Sequence, residues 1–256
     1  MRLSFLVISI ILISGCVQQT NTYQNYNRIS PQGGTGGLTE SEIMKKASFQ
    51  TTDGVEIVAN YWHGSEKAVL LLHMMPATKE SWNNFAAALN KENFSILAID
   101  LRGHGESTQQ DGNILDYNRF SDEQHQESIK DVDAAVRYMK NNGAAEIYIA
   151  GASIGANLAI QYQAQHKEIK KTILLSAGAN YRGILTEPAA ENLSADQDVF
   201  LAAGAYDGNT VSDANQTASL IKGKKQVKIY NTSAHGTDLF REYPELLTDL
   251  VKWLKE

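Results

Sequence analysis

An α/β architecture, with a mostly parallel central sheet and helices on both of its faces, is the expectation that this chain raises on three grounds. From about residue 41 onward, apolar runs of strand length alternate with longer stretches of helical period. Several of the runs, "KAVLLLH" and "FSILAID" among them, are apolar almost throughout, as strands buried on both faces must be. At 256 residues, 43% hydrophobic and 20% charged, the chain can bury one large core.

The elements follow in order. "MRLSFLVISIILISGC" carries one positive charge at Arg2, a largely apolar run from Phe5 to Ile13, and small residues at Ser14 and Gly15. The run is too short to span a bilayer and has the layout of a signal peptide over residues 1–15. The tetrad Ile13-Ser14-Gly15-Cys16 resembles the lipobox of bacterial lipoproteins. That resemblance implies cleavage before Cys16, lipid attachment to its sulfur, and a domain tethered to a membrane on the extracytoplasmic side of the cell envelope. A plain signal peptide, or an uncleaved anchor with an incidental cysteine, is the simpler alternative. Cys16 is the only cysteine, so no internal disulfide is possible. Residues 16–40, rich in Gln, Asn, Thr and Gly and without an apolar period, read as a flexible tether.

A single folded domain is expected over residues 41–256. "SFQTTDGVEIVANYW" holds two strands around Asp53-Gly54, a hairpin signal. "KAVLLLH" and "FSILAID" are strands on either side of the helix "SWNNFAAALN", with Thr78 or Ser81 as its candidate N-cap. After a polar loop, "DEQHQESIKDVDAAVRYMKNNG" predicts one long helix ending near Gly143. The strand "EIYIAG" then leads into a helix from Ser153 to about Gln165. Strands "KTILLS" and "DVFLAAG", helix "DANQTASLIK", strand "QVKIY" and helix "YPELLTDLVKWLK" complete the chain.

Composition removes some classes of function. The net charge is −6 and no Lys/Arg stripe forms, which disfavours nucleic acid as a partner. The six histidines are scattered without metal-ligand spacing, so no metal or other cofactor is expected.

The chemistry gathers at Gly151-Ala152-Ser153-Ile154-Gly155, a G-x-S-x-G string between a strand and a helix. On such a turn the serine takes a strained backbone that lifts its Oγ clear of the sheet. The glycines let strand and helix approach, and the helix N-terminus aims free N–H groups and a positive dipole at the reaction centre. A small-residue turn without chemistry is the bland reading; the context makes Ser153 the candidate nucleophile. A serine needs a base, and a histidine late in the chain with a carboxylate between them supplies the order Ser, acid, His. His166 lies at the far end of the helix that Ser153 opens, which leaves His235 in "NTSAHGTD". Asp207 follows the strand "DVFLAAG" and is the candidate acid. Asp198 begins that strand on the opposite edge, Asp213 and Asp238 suit helix starts, and no carboxylate follows "KTILLS" before Glu187. The amide of Ile154 is one candidate donor to an oxyanion, and a second should come from "HMMPATKE".

Two further stretches carry a resemblance. "LLHMMP" is similar to the HG-x-P-type oxyanion loop of α/β-hydrolases, and "DLRGHGES" closely resembles that family's D-x-R-G-H-G-x-S loop. With the serine turn, Asp207 and His235, the resemblance runs from about residue 40 to 256 and is nearest to the serine esterase, monoglyceride-lipase and acyl-hydrolase branch. It implies the α/β-hydrolase fold and a Ser-His-Asp triad. Aligned on it, the amide of Met75 is the second oxyanion donor. Met74 stands where the family has glycine after the histidine, which leaves the Met74 amide as the competing assignment. Both methionine side chains are candidates to line an apolar acyl pocket, and His73 and His104 read as loop braces. About twenty residues lie between "KTILLS" and "DVFLAAG", where capped relatives insert far more, so one short helix near 188–193 and no large cap domain are expected.

The function expected is hydrolysis of a small carboxylic ester or thioester through an acyl-enzyme. A peptidase or amidase on the same triad, and a non-catalytic envelope binding protein, are the alternatives.

Overall fold

The computed structural model describes residues 44–256. The signal peptide, Cys16 and the tether expected over residues 1–40 lie outside the described residues. Among those described, no helix is long and apolar enough to cross a membrane.

In chain order the elements are β1 (Lys45–Gln50), β2 (Val55–Trp62), β3 (Lys67–Leu72), α1 (Asn83–Lys91), β4 (Ser95–Ile99), β5 (Gln109–Gln110) and β6 (Asn113–Ile114). There follow α2 (Asp122–Gln126), α3 (Ile129–Asn141), β7 (Glu146–Ala152), α4 (Ile154–Gln165), β8 (Lys171–Leu175), β9 (Asn180–Tyr181) and β10 (Ile184–Leu185). The last are α5 (Glu187–Asn192), β11 (Asp198–Gly204), α6 (Thr210–Leu220), β12 (Lys225–Tyr230), α7 (Leu239–Glu242) and α8 (Glu245–Lys255).

Ten strands form one sheet in the order β12-β11-β8-β7-β3-β4-β2-β5-β6, with β1 paired to β2. The five pairings from β4 through β3, β7, β8 and β11 to β12 are parallel. The opening hairpin joins antiparallel, β2 against β4.

Side-chain alternation explains why the parallel strands read as unbroken apolar runs. Along β3, Leu70 and Leu72 enter one core and Val69 and Leu71 the other, all fully buried. Helices α3, α4, α5 and α6 close the first face, and α1, α7 and α8 the second. In α8, Leu246, Leu250, Trp253 and Leu254 recur at helical spacing and point into the second core. The expected α/β architecture with helices on both faces and without a large cap is the one observed.

Three expectations fail locally. The long helix over 122–143 is broken at Glu127–Ser128, where bonds from Ser128 to His125 and from Asp131 to Ser128 tighten the turn. Each half has its own anchor. His125 packs edge-on against Phe120 and Asp131 is bonded to Arg102. The helix expected from Ser81 instead opens as a 3-10 turn, Lys79–Trp82, and α1 starts at Asn83 with neither Thr78 nor Ser81 capping it by side chain. Lys79 sets this start. Its amide and ammonium both bond to the fully buried Asp100, at 2.8 and 2.7 Å, and that pins the entry of the helix. The short helix near 188–193 is α5, but a small hairpin, β9–β10, precedes it and carries no strand signal in the sequence.

Candidate active site

The residues singled out from the sequence lie at the C-terminal ends of the parallel strands, where open α/β sheets bind ligands. Ser153 follows β7 and precedes α4 with φ 53° and ψ −120°. Such a backbone costs on the order of 1–3 kcal/mol and persists only where its surroundings enforce it. Here a Cβ at Gly151 would collide with the Gly155 carbonyl, and one at Gly155 with that of Leu72. The two glycines therefore let α4 start hard against β3 and β7. The Ser153 amide donates to Leu175 of β8 at 2.8 Å, and its carbonyl accepts from Ala156 and Asn157. Ile154 opens α4, so its amide is among the first-turn N–H groups without a helical acceptor.

His235 follows β12 and Asp207 follows β11. The His235 Nδ1–H donates to both Asp207 carboxylate oxygens, at 2.9 and 2.8 Å. That fixes the tautomer and leaves Nε2 as the basic nitrogen. The Asp207 carbonyl accepts from Thr210 through both amide and hydroxyl, so the carboxylate is held at the start of α6. The other carboxylates have other work. Asp198 accepts from the Lys224 amide at the opposite edge, Asp213 accepts from the Ala179 amide, and Asp238 pairs with Arg241. His166 caps the far end of α4, stacked on Tyr162 at 3.8 Å.

The loop after β3 is braced by histidines. The Leu101 amide donates to His73 Nε2 at 3.0 Å, so the proton sits on Nδ1 and bonds the Met74 carbonyl at 2.9 Å. Burial pushes His73 down to about 4. His104 stacks on Tyr117 at 3.8 Å and meets His73 edge-on; burial and the neighbouring imidazole push it down to about 3. Both rings are neutral near pH 7 and tie the loop after β3 to the loop after β4. Met74 is largely withdrawn from solvent. Its side chain is buried beneath Gly236, where the Thr237 hydroxyl donates to its sulfur at 3.9 Å. The bulk at this position thus packs the β3 loop against the His235 loop. Met75 is half-buried and packs against the opposite core.

Three residues absent from the sequence reading tie the site together. Ser176, directly after β8 at φ 51°, is fully buried, and its Oγ accepts the Gly236 amide at 2.9 Å. Leu175 thus holds Ser153 while Ser176 holds the residue beside His235. Asn157, the one polar residue in the buried "GANLAI" of α4, bonds to the backbone of the β9–β10 hairpin. That polar interruption was a usable signal. Tyr181 of the hairpin sets its ring perpendicular to that of His235, with centroids 6.5 Å apart.

This sheet, with a strained serine turn after β7 and a histidine–aspartate pair after the last two strands, defines an α/β hydrolase. The chain belongs to the serine aminopeptidase S33 family, whose model matches residues 64–233. Among known proteins it is 32% identical over 131 residues to the bifunctional esterase/perhydrolase DCH of Acinetobacter calcoaceticus, covering 50% of this chain and 43% of that one. It is 31% identical over 119 residues to the AB hydrolase superfamily protein YisY of Bacillus subtilis, covering 45% and 40% respectively. The chain spans less than half the length of these relatives. Among solved structures, the esterase PF2001 of Pyrococcus furiosus superposes with a TM-score of 0.68 at 21% identity, over 90% of this chain and 98% of that one. An esterase from Exiguobacterium antarcticum superposes with a TM-score of 0.66 at 16% identity, over 83% and 100%. At these identities the likeness is one of fold.

Proposed function

We propose that the protein is a serine esterase that cleaves small carboxylic esters or thioesters. Ser153 is the nucleophile, His235 the general base and Asp207 the residue that orients it. The observation that carries this reading is the hydrogen bond from His235 Nδ1–H to both carboxylate oxygens of Asp207, on the sheet rim that also presents a serine at positive φ. The esterase/perhydrolase among the relatives supports the ester over the amide. The family's aminopeptidase description supports the amide as the second reading.

In this mechanism His235 Nε2 takes the Ser153 proton as Oγ attacks the acyl carbon. The oxyanion is held by the amides of Ile154 and Met75. His235 returns the proton to the leaving alcohol or thiol, and water activated by the same imidazole then releases the acid. Every step uses groups of this chain, the substrate and water, so no metal or cofactor is invoked.

Fluorophosphonate labelling is the direct test. The wild type should label and Ser153→Ala should not, with ester turnover falling by at least about 10³-fold. An unlabelled wild type would leave the binding-protein reading. Parallel assays with p-nitrophenyl acyl esters and aminoacyl amides decide between esterase and peptidase. For location, we propose lipid attachment at Cys16 and tethering outside the cytoplasm. Metabolic palmitate labelling, lost in Cys16→Ser, is the expected result; label retained in that variant would refute it.

A further inference from the structure

The β9–β10 hairpin stands over the rim that carries Ser153 and His235. Its turn, Arg182-Gly183, has φ of 54° and 80°, the positive values that tight hairpins require. A two-stranded hairpin is marginal alone, and this one is bound from several sides. Buried Asn157 donates to the carbonyls of Gly178 and Ile184, at 2.9 and 2.8 Å, and accepts from the Gly178 amide at 3.2 Å. The Thr186 hydroxyl also donates to the Gly178 carbonyl. Asp213 accepts the Ala179 amide at 3.0 Å, and Gln126 donates to the Arg182 carbonyl. The hairpin is therefore a fixed feature of the site.

Tyr181 is its residue turned toward the chemistry. The phenol donates to the Ser176 carbonyl at 3.4 Å and interacts with the Ser153 hydroxyl, while the ring stands against His235. Gly178 makes room, since a Cβ there would run into the Tyr181 ring. Burial holds the phenol above its ordinary range, so it stays protonated.

Sheet order assigns a side to this ring. The loop after β3 lies on one side of β7, and β8, β11 and β12 lie on the other. Tyr181 shares the second side with His235. The imidazole returns its proton to the leaving oxygen, so the leaving group departs on that side. We propose that Tyr181 determines leaving-group specificity: its ring is a rigid wall of the alcohol subsite and restricts it to small, unbranched alcohols. The proposal rests on the ester-hydrolase reading above.

Two substrate series test it on the full-length protein. In the first the acyl group stays acetyl and the alcohol runs from methanol through ethanol to isopropanol and tert-butanol. In the second the alcohol stays methanol and the acyl chain runs from acetyl to octanoyl. Tyr181→Ala should raise the isopropyl-to-methyl ratio of kcat/KM about tenfold and leave the octanoyl-to-acetyl ratio within about twofold. Tyr181→Phe, which keeps the ring, should retain wild-type alcohol selectivity. Should Tyr181→Ala fail to fold by thermal unfolding, Tyr181→Leu carries the same comparison. An acyl series that moves while the alcohol series does not, or neither moving, or Tyr181→Phe relaxing selectivity as far as Tyr181→Ala, overturns the proposal. A labelled, active enzyme with unchanged alcohol selectivity sinks this proposal alone. A wild type that neither labels with fluorophosphonate nor cleaves any ester removes the hydrolase reading and this proposal with it.

Discussion

Ser176 shows how far one buried hydroxyl can govern a site it never enters. It accepts the Gly236 amide beside His235 while its neighbour Leu175 accepts the Ser153 amide. Ser176→Ala would leave the Gly236 N–H without its partner, at a cost of about 1–3 kcal/mol. On the ester reading the loss appears in kcat, with KM little changed, because the residue aligns the base and does not bind substrate. Steady-state kinetics and urea unfolding of the variant separate the two effects. Asp207→Asn is expected to act differently. It keeps the shape of the site but removes the charge that fixes the His235 tautomer, and kcat should fall about 10⁴-fold with stability little altered. A fall of less than tenfold would show that another carboxylate orients His235. The hydrogen-bonding partner of His235, Asp207, was legible in the chain order. Ser176 was not, because a serine after a buried strand carries no pattern of its own.

Among elements, α4 does most to assemble the site. Its N-terminus carries the strained serine, its apolar flank fills the first core, and Asn157 bonds the β9–β10 hairpin. Asn157→Leu should strand the Ile184 carbonyl and the Gly178 amide, the Gly178 carbonyl keeping the Thr186 hydroxyl, and lower stability by about 2 kcal/mol. Amide hydrogen exchange should quicken over residues 178–186 before the rest of the chain, and unchanged protection there would show that the hairpin is held by other contacts. Elements with a long period were readable in advance, from β3 to α8. The hairpin was not, because strands of two residues are too short to display a period of two. The break between α2 and α3 was also hidden. Its cause is the separate anchoring of His125 by the preceding loop at Phe120 and of Asp131 by the distant Arg102, while the segment itself has the local propensity of one helix.

For the whole molecule, the buried histidines make acid stability a specific expectation. His73 and His104 are both driven below their ordinary 6.5 by burial, to about 4 and about 3. In the unfolded chain each takes up a proton near pH 6.5, which the folded state refuses until pH 4 or lower. Unfolding therefore binds protons across that window, so stability is complete above pH 6.5 and declines as pH falls toward 4. Each histidine contributes a slope of about 1.4 kcal/mol per pH unit. Urea unfolding between pH 7 and 4.5 checks this, and His104→Phe should make the slope shallower. A slope unchanged in that variant would mean that His104 is already protonated in the fold. Leu250→Ala, in the second core, should cost about 2–5 kcal/mol at any pH and leave the slope intact.

Local chemistry was enough to announce the alternation of strands and helices, the serine turn, and the pairing of a histidine at 235 with a carboxylate at 207. Those features are written in periodicity, in glycine spacing and in the order of residues along one chain. Coordinates were needed for whatever depends on distant segments meeting. They put the Met74 sulfur beneath the His235 loop, joined Ser176 to Gly236, and stood Tyr181 against the imidazole. No local propensity encodes such contacts, because each joins loops far apart in the chain that the sheet brings together along one rim.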